Sequence, residues 1–180
     1  MSDLPEQIAA KVVGDLDPFK KILSYIPGFK GYMERQSRRD SDKLLRDTIA
    51  NRFEEQWQRV SAIQRDLITQ GGIAYVDDLE AAAIQLRTFA DRIRRATRGY
   101  SSLFEATKIN QEELAQIYQY DAAMLLLADK VSAAIDNVEA SIGSDGLPAA
   151  IRNLVSTARD CQSVFDRREE IVFAPTGSQG

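Results

Sequence analysis

Apolar residues recur along this chain at alternating steps of three and four over four long stretches, the spacing that gathers them on one face of an α-helix. From 34 to 70 the stripe reads Ile49, Phe53, Gln56, Val60, Ile63 and Leu67, flanked by Leu45 and Trp57, with no proline or glycine. At 1.5 Å per residue that helix would reach roughly 55 Å before Gly71-Gly72 ends it. A second stripe, Val76, Leu79, Ala83, Leu86, Ala90 and Ile93, predicts a helix over 75–98, with Gly99 beyond its end and a connector over 100–105 that reads as a short helical turn. The third, Leu114, Ile117, Asp121, Met124, Ala128, Val131, Ile135, Val138 and Ile142, is a heptad stripe broken only by Asp121. Asn110 and Glu113 form a capping-box variant at its start. The fourth follows the turn Gly143–Gly146 and carries Ile151, Leu154, Ala158, Cys161, Phe165 and Val172, with Arg168 at an inward position.

Four stripes that each need covering predict an all-α protein. Short turns between them predict an antiparallel four-helix bundle with long helices. An elongated helical hairpin that dimerises is the other arrangement the pattern allows. Ahead of the bundle, Asp17-Pro18 reads as an N-cap with proline at the first helical position. It opens a short helix that Pro27-Gly28 stops, followed by a loop over 28–32. The expected organisation is therefore an N-terminal helical arm and loop over 1–32, the bundle over 33–174 and a disordered tail over 175–180. No strand pattern competes over a useful length.

Composition narrows the chemistry. The 180 residues include no histidine and one cysteine, Cys161. Imidazole bases and ligands are excluded, and so are intramolecular disulfides and Cys/His zinc sites. A di-iron bundle needs inward carboxylates with Glu-x-x-His, which cannot be written here. The adjacent pairs Glu54-Glu55, Glu112-Glu113 and Glu169-Glu170 diverge by about 100° on a helix. We therefore expect no metal and no cofactor. Gly28-Phe29-Lys30-Gly31 lacks the phosphate-loop form and a preceding strand. The net charge of −4 argues against nucleic acid as a partner. The acidic N-terminus is not a secretory signal. The longest apolar run, Ala122–Ala128, is far short of the roughly 20 residues of a spanning helix. The expected setting is cytoplasmic, with a reduced lone thiol.

Charge placement supplies the candidate sites. Asp121 at a core position costs several kcal/mol, on the order of what an unpaired buried carboxylate loses, unless it is paired. A register-setting partner for it is an inward arginine, a tyrosine hydroxyl or backbone amides, and Arg46 and Arg168, which also interrupt apolar stripes, are the candidate arginines. The alternative for Asp121 is a catalytic acid in a pocket, although no nucleophile or second carboxylate accompanies it. The basic stretch Arg35, Arg38, Arg39, Lys43 and Arg46 is interleaved with Asp40, Asp42 and Asp47, which reads as a salt-bridged face. Residues 111–142 carry six acids and only Lys130. That imbalance serves either packing against basic neighbours or a basic protein partner. In the arm, Lys20, Lys21 and Lys30 accompany Phe19, Ile22, Phe29 and Tyr32. Such a segment can cap the bundle or lie on an anionic membrane surface peripheral to its inner face.

The phrases Gly28-Phe29-Lys30-Gly31-Tyr32 with Arg38-Arg39-Asp40-Ser41-Asp42-Lys43-Leu44-Leu45-Arg46, and Gly99-Tyr100-Ser101-Ser102-Leu103-Phe104 with Leu114, Tyr118 and Asp121, complete the picture. Over residues 27–142 the chain resembles an uncharacterised family of prokaryotic all-helical proteins. That resemblance implies a helical fold and no activity. The expectation is a non-catalytic adaptor or scaffold whose partner is another protein, a second copy of the chain included. The alternatives are a peripheral membrane factor docking through 18–33 and a small-ligand carrier or enzyme with a pocket near Asp121.

Overall fold

The computed structural model describes residues 17–35, 38–106 and 111–173. Among them are six α-helices and no strand: α1 (Pro18–Tyr25), α2 (Phe29–Arg35), α3 (Arg38–Thr69), α4 (Val76–Ala106), α5 (Gln111–Ser141) and α6 (Leu147–Phe173). A short 3-10 turn, Ile73–Tyr75, leads into α4. Residues 1–16 of the arm, Asn110 and the tail 175–180 lie outside the described residues.

Local chemistry explains the helix ends. Asp17 accepts a hydrogen bond from the Phe19 N–H at 3.0 Å, and Pro18 occupies the first turn, as the Asp-Pro pair predicts. Gly71 and Gly143 take φ near +83° and +81° where α3 and α5 end, a region that disfavours side chains. Two sequence expectations are corrected. The loop expected over 28–32 is helical. Gly28 turns the chain at φ +81° and α2 starts at once, with Phe29 only 1% exposed. Docking of Phe29 outweighs the roughly 1 kcal/mol that Gly31 costs a helix. Likewise α4 does not stop at Gly99 but runs through the expected connector to Ala106. One glycine without a following proline is too weak a breaker.

The long helices pair as two hairpins, α3 with α4 and α5 with α6, lying side by side with α3 along α5 and α4 along α6. Contacts fix the directions. Gln64 reaches Glu80 and Arg94 reaches Glu54, so α3 and α4 run antiparallel. Arg52 meets Asp129 and Arg59 meets Asp136, each 77 residues on, so α3 and α5 run parallel. Gln162 donates to the Gln85 carbonyl and Arg92 to Glu169, again 77 apart, so α4 and α6 also run parallel. Consecutive α4 and α5 are not among the principal packed pairs.

The core is continuous across all the helices from α1 to α6. Phe53, Phe89 and Phe165 stack edge to face through it, with centroids 4.7 and 5.6 Å apart and interplanar angles of 85° and 88°. Around α5, Ala122, Ala123, Met124, Leu125, Leu127 and Ala128 are all buried. A helix apolar on every side needs cover on every side. Helices α3 and α6 supply part of it, and α1, packed along α5, supplies the rest. No helix among the described residues is long and apolar enough to cross a membrane.

Candidate functional site

Two clusters of polar side chains stand out, one inside the helices and one where the arm meets them. The interior cluster joins three helices. Asp121 of α5 and Arg168 of α6 are 0% exposed, as is Arg46 of α3. Arg168 Nε donates to Asp121 Oδ1 at 2.5 Å and its Nη2 to Oδ2 at 3.2 Å, a two-pronged grip on the carboxylate. The same Nη2 donates to Asp42 Oδ1 at 2.8 Å, and Arg46 Nε donates to Asp42 Oδ2 at 2.7 Å. The result is a chain, Arg46–Asp42–Arg168–Asp121, with two positive and two negative groups.

Of the two candidate arginines for Asp121, Arg168 makes the contact, and Arg46 is linked to it through Asp42. Asp42 is the member the hydrophobic pattern did not single out. It lies among basic residues on a helix with balanced charge, and one turn before the inward Arg46 it was the available carboxylate. Burial pushes the Asp121 carboxyl above its ordinary value, against the pull of the Arg168 guanidinium.

The arm cluster centres on Tyr25 at the end of α1. Its hydroxyl donates to Asp129 of α5, which also accepts from Arg52 of α3. The Arg52 guanidinium lies 4.7 Å from the Tyr25 ring centroid and the Lys21 ammonium 5.6 Å. Burial and the bond to Asp129 raise the Tyr25 phenol above its ordinary value. Beyond it, Phe19 meets Phe29 at 6.4 Å and Tyr118 at 5.8 Å between centroids. Ile22 is 0% exposed. Lys20 and Lys30 face solvent, and half-buried Tyr32 borders a cleft with Asp40, Lys43 and Asp47. The arm's apolar positions are thus spent on the body of the protein.

Three of the acids on α5 meet arginines of α3. Asp129 pairs with Arg52, while Asp136 and Glu139 pair with Arg59, at 2.5 and 3.2 Å for the latter two. Two arginines seven residues apart on α3 meet two aspartates seven residues apart on α5, the register that parallel helices keep over two turns. On the other side of the molecule Arg92 reaches Asp166 at 2.6 Å and Glu169 at 3.1 Å.

Among the open clefts of the described surface are three of about 200 to 250 Å³. One lies between Asp78 and the Ile151–Arg159 stretch, one between Asp17–Phe19 and Tyr118, and one beside Tyr32. Asp121 lines none of them. No group of three or more potential metal ligands gathers among the described residues. The single thiol, Cys161, is 0% exposed and donates to the Thr157 carbonyl, and burial raises it above its ordinary value. Comparison of the chain with protein-family models, with curated proteins and with solved structures finds no match.

Proposed function

We propose that the four long helices form one four-helix bundle and that the protein is a non-catalytic interaction protein, an adaptor or scaffold. The observation that carries this reading is the pairing of the interior charges with one another. Asp121 has both carboxylate oxygens on Arg168, and Arg168 and Arg46 share Asp42. A carboxylate gripped by an always-charged guanidinium and screened from solvent is a poor acid or base and a good register pin. What the protein offers to other molecules is therefore its helical exterior. The arm belongs to the same scaffold, because its apolar residues cover α5. Membrane docking through 18–33 would first have to pull Ile22 and Phe29 out of the core.

Affinity purification of the full chain from its native cell, in gentle detergent, tests this reading. A protein recovered in stoichiometric amount, and rebinding to the purified chain in isolation, is the expected result. Recovery of lipid alone, together with flotation of the intact chain on anionic liposomes that a chain starting at Met33 does not share, would overturn it in favour of the arm.

A further inference from the structure

Opposite its buried stripe, α4 carries a second periodic row: Asp77, Ala81, Ile84, Thr88, Asp91 and Arg95, at steps of four, three, four, three and four. Five of the six are exposed and Asp91 is half-buried. Ile84 is 53% exposed, one of only three large hydrophobics so open among the described residues. The other two, Ile68 and Ile73, belong to the same α3–α4 hairpin. Neither Asp77 nor Arg95 has an ion-pair partner among the described residues. The nearby guanidiniums are committed elsewhere, Arg94 to Glu54 and Arg92 to Asp166 and Glu169.

The order of this row makes it self-complementary. It is acidic at its N-terminal end, basic at its C-terminal end, and its middle is Ala81, Ile84 and Thr88. Laid antiparallel on a copy of itself, Asp77 meets Arg95 of the other copy at both ends, Ala81 meets Asp91, and Ile84 meets Thr88. The overlap from 77 to 95 runs about 27 Å. A parallel overlay in register would set Asp77 on Asp77 and Arg95 on Arg95, so charge selects the antiparallel orientation. Asp91 tolerates facing Ala81 because Arg87 and Arg95 lie one turn away on its own helix.

We propose that the outer face of α4 is a self-association surface whose occupant is a second copy of this chain, docked antiparallel about a two-fold axis near Ile84 and Thr88. A two-fold contact uses the same patch on both partners, which this row satisfies. The contact is narrow and edged by exposed ion pairs, so the dimer is concentration-dependent and weakens with salt. This surface is separate from the interior charges that carry the scaffold reading, and the two stand or fall independently.

Sedimentation velocity of the full chain over a range of concentrations, at low and high salt, reads the association directly. Wild type is expected to dimerise reversibly. Asp77→Arg and Arg95→Asp, each creating two like-charged contacts per dimer, are expected to weaken it about tenfold or more. The double variant Asp77→Arg/Arg95→Asp, and an equimolar mixture of the two single variants, restore opposite charges at both ends and are expected to recover it. Ile84→Lys, far from both helix ends, is expected to weaken the dimer without loss of helical signal. A chain that stays monomeric throughout overturns the proposal. So does a dimer indifferent to the single reversals, or one that the double variant fails to restore.

Discussion

Removing one partner from the Asp121–Arg168 pair leaves a fully buried group without its two-pronged counter-charge. With Asp121→Leu the interior cluster of Arg46, Asp42 and Arg168 keeps two positive groups against one negative, and Arg168 loses its two-pronged carboxylate while its contact to Asp42 remains. Both side chains of the original pair are 0% exposed, so the loss is not softened by solvent. Breaking a buried pair in this way costs about 3–5 kcal/mol. For a chain of this size that is a fall in Tm of about 6–20 °C.

Arg168→Met strands the carboxylate instead, and here the two single variants part company. A guanidinium stays charged at any working pH, whereas Asp121 can take up a proton. Burial already raises its carboxyl, and in Arg168→Met the opposing pull of Arg168 is gone. The folded variant then holds a proton that the unfolded chain releases, between the ordinary carboxylate value near 4 and the raised one. Its stability falls as pH rises through that window and recovers as pH is lowered. Asp121→Leu, which has no carboxyl at that position, shows no such recovery.

The double variant Asp121→Leu/Arg168→Met removes both charges and leaves Arg46 on Asp42. Apolar replacement of a whole buried pair is often neutral or stabilising, so the double is expected to lie within about 1 kcal/mol of wild type or above it. Equilibrium unfolding in urea, followed by far-ultraviolet circular dichroism and by the fluorescence of the single tryptophan, Trp57, measures all four corners of the cycle. Single-variant costs that simply add in the double, to within about 0.5 kcal/mol, would refute the reasoning.

Phe89→Ala removes the middle ring of the Phe53–Phe89–Phe165 stack and is expected to cost about 3–5 kcal/mol in the same unfolding assay, the range for a fully buried phenylalanine. Cys161 is expected to resist a thiol reagent such as DTNB in the native protein and to react at the rate of unfolding. Rapid labelling without denaturant would contradict its burial. The Tyr25 phenol is raised in the fold, so its contribution is fully present below the unfolded value near 10 and is lost as pH rises through the folded value. Alkaline titration of tyrosinate absorbance is expected to show Tyr25 ionising late, and Tyr25→Phe to remove that late step. An unchanged titration curve would count against the docked arm.

Much of this architecture is legible in the residue pattern because helix formation and apolar burial are short-range. Steps of three and four around Phe53, Leu86 and Val131 place each stripe without knowledge of its neighbour. Asp17-Pro18 and Gly143 mark helix ends through their own backbone chemistry. The interruptions Arg46, Asp121 and Arg168 are conspicuous for the same reason, since a charge in an apolar row demands an explanation. Which charges meet is a different kind of question. The choice of Arg168 for Asp121, with Asp42 as the link to Arg46, depends on how α3, α5 and α6 are set against one another. The parallel run of α3 beside α5 converts an acidic helix into the complement of Arg52 and Arg59. The placement of α1 along α5 spends the arm's apolar face and turns Ala122–Ala128 into interior. Gly31 and Gly99, breakers by local preference, stay helical because docking and continuation outweigh about 1 kcal/mol each. Local propensity determined the helices and their inward faces. Only the tertiary structure decided their neighbours, because the energies that choose partners arise from burial and Coulomb contact between residues far apart in the chain.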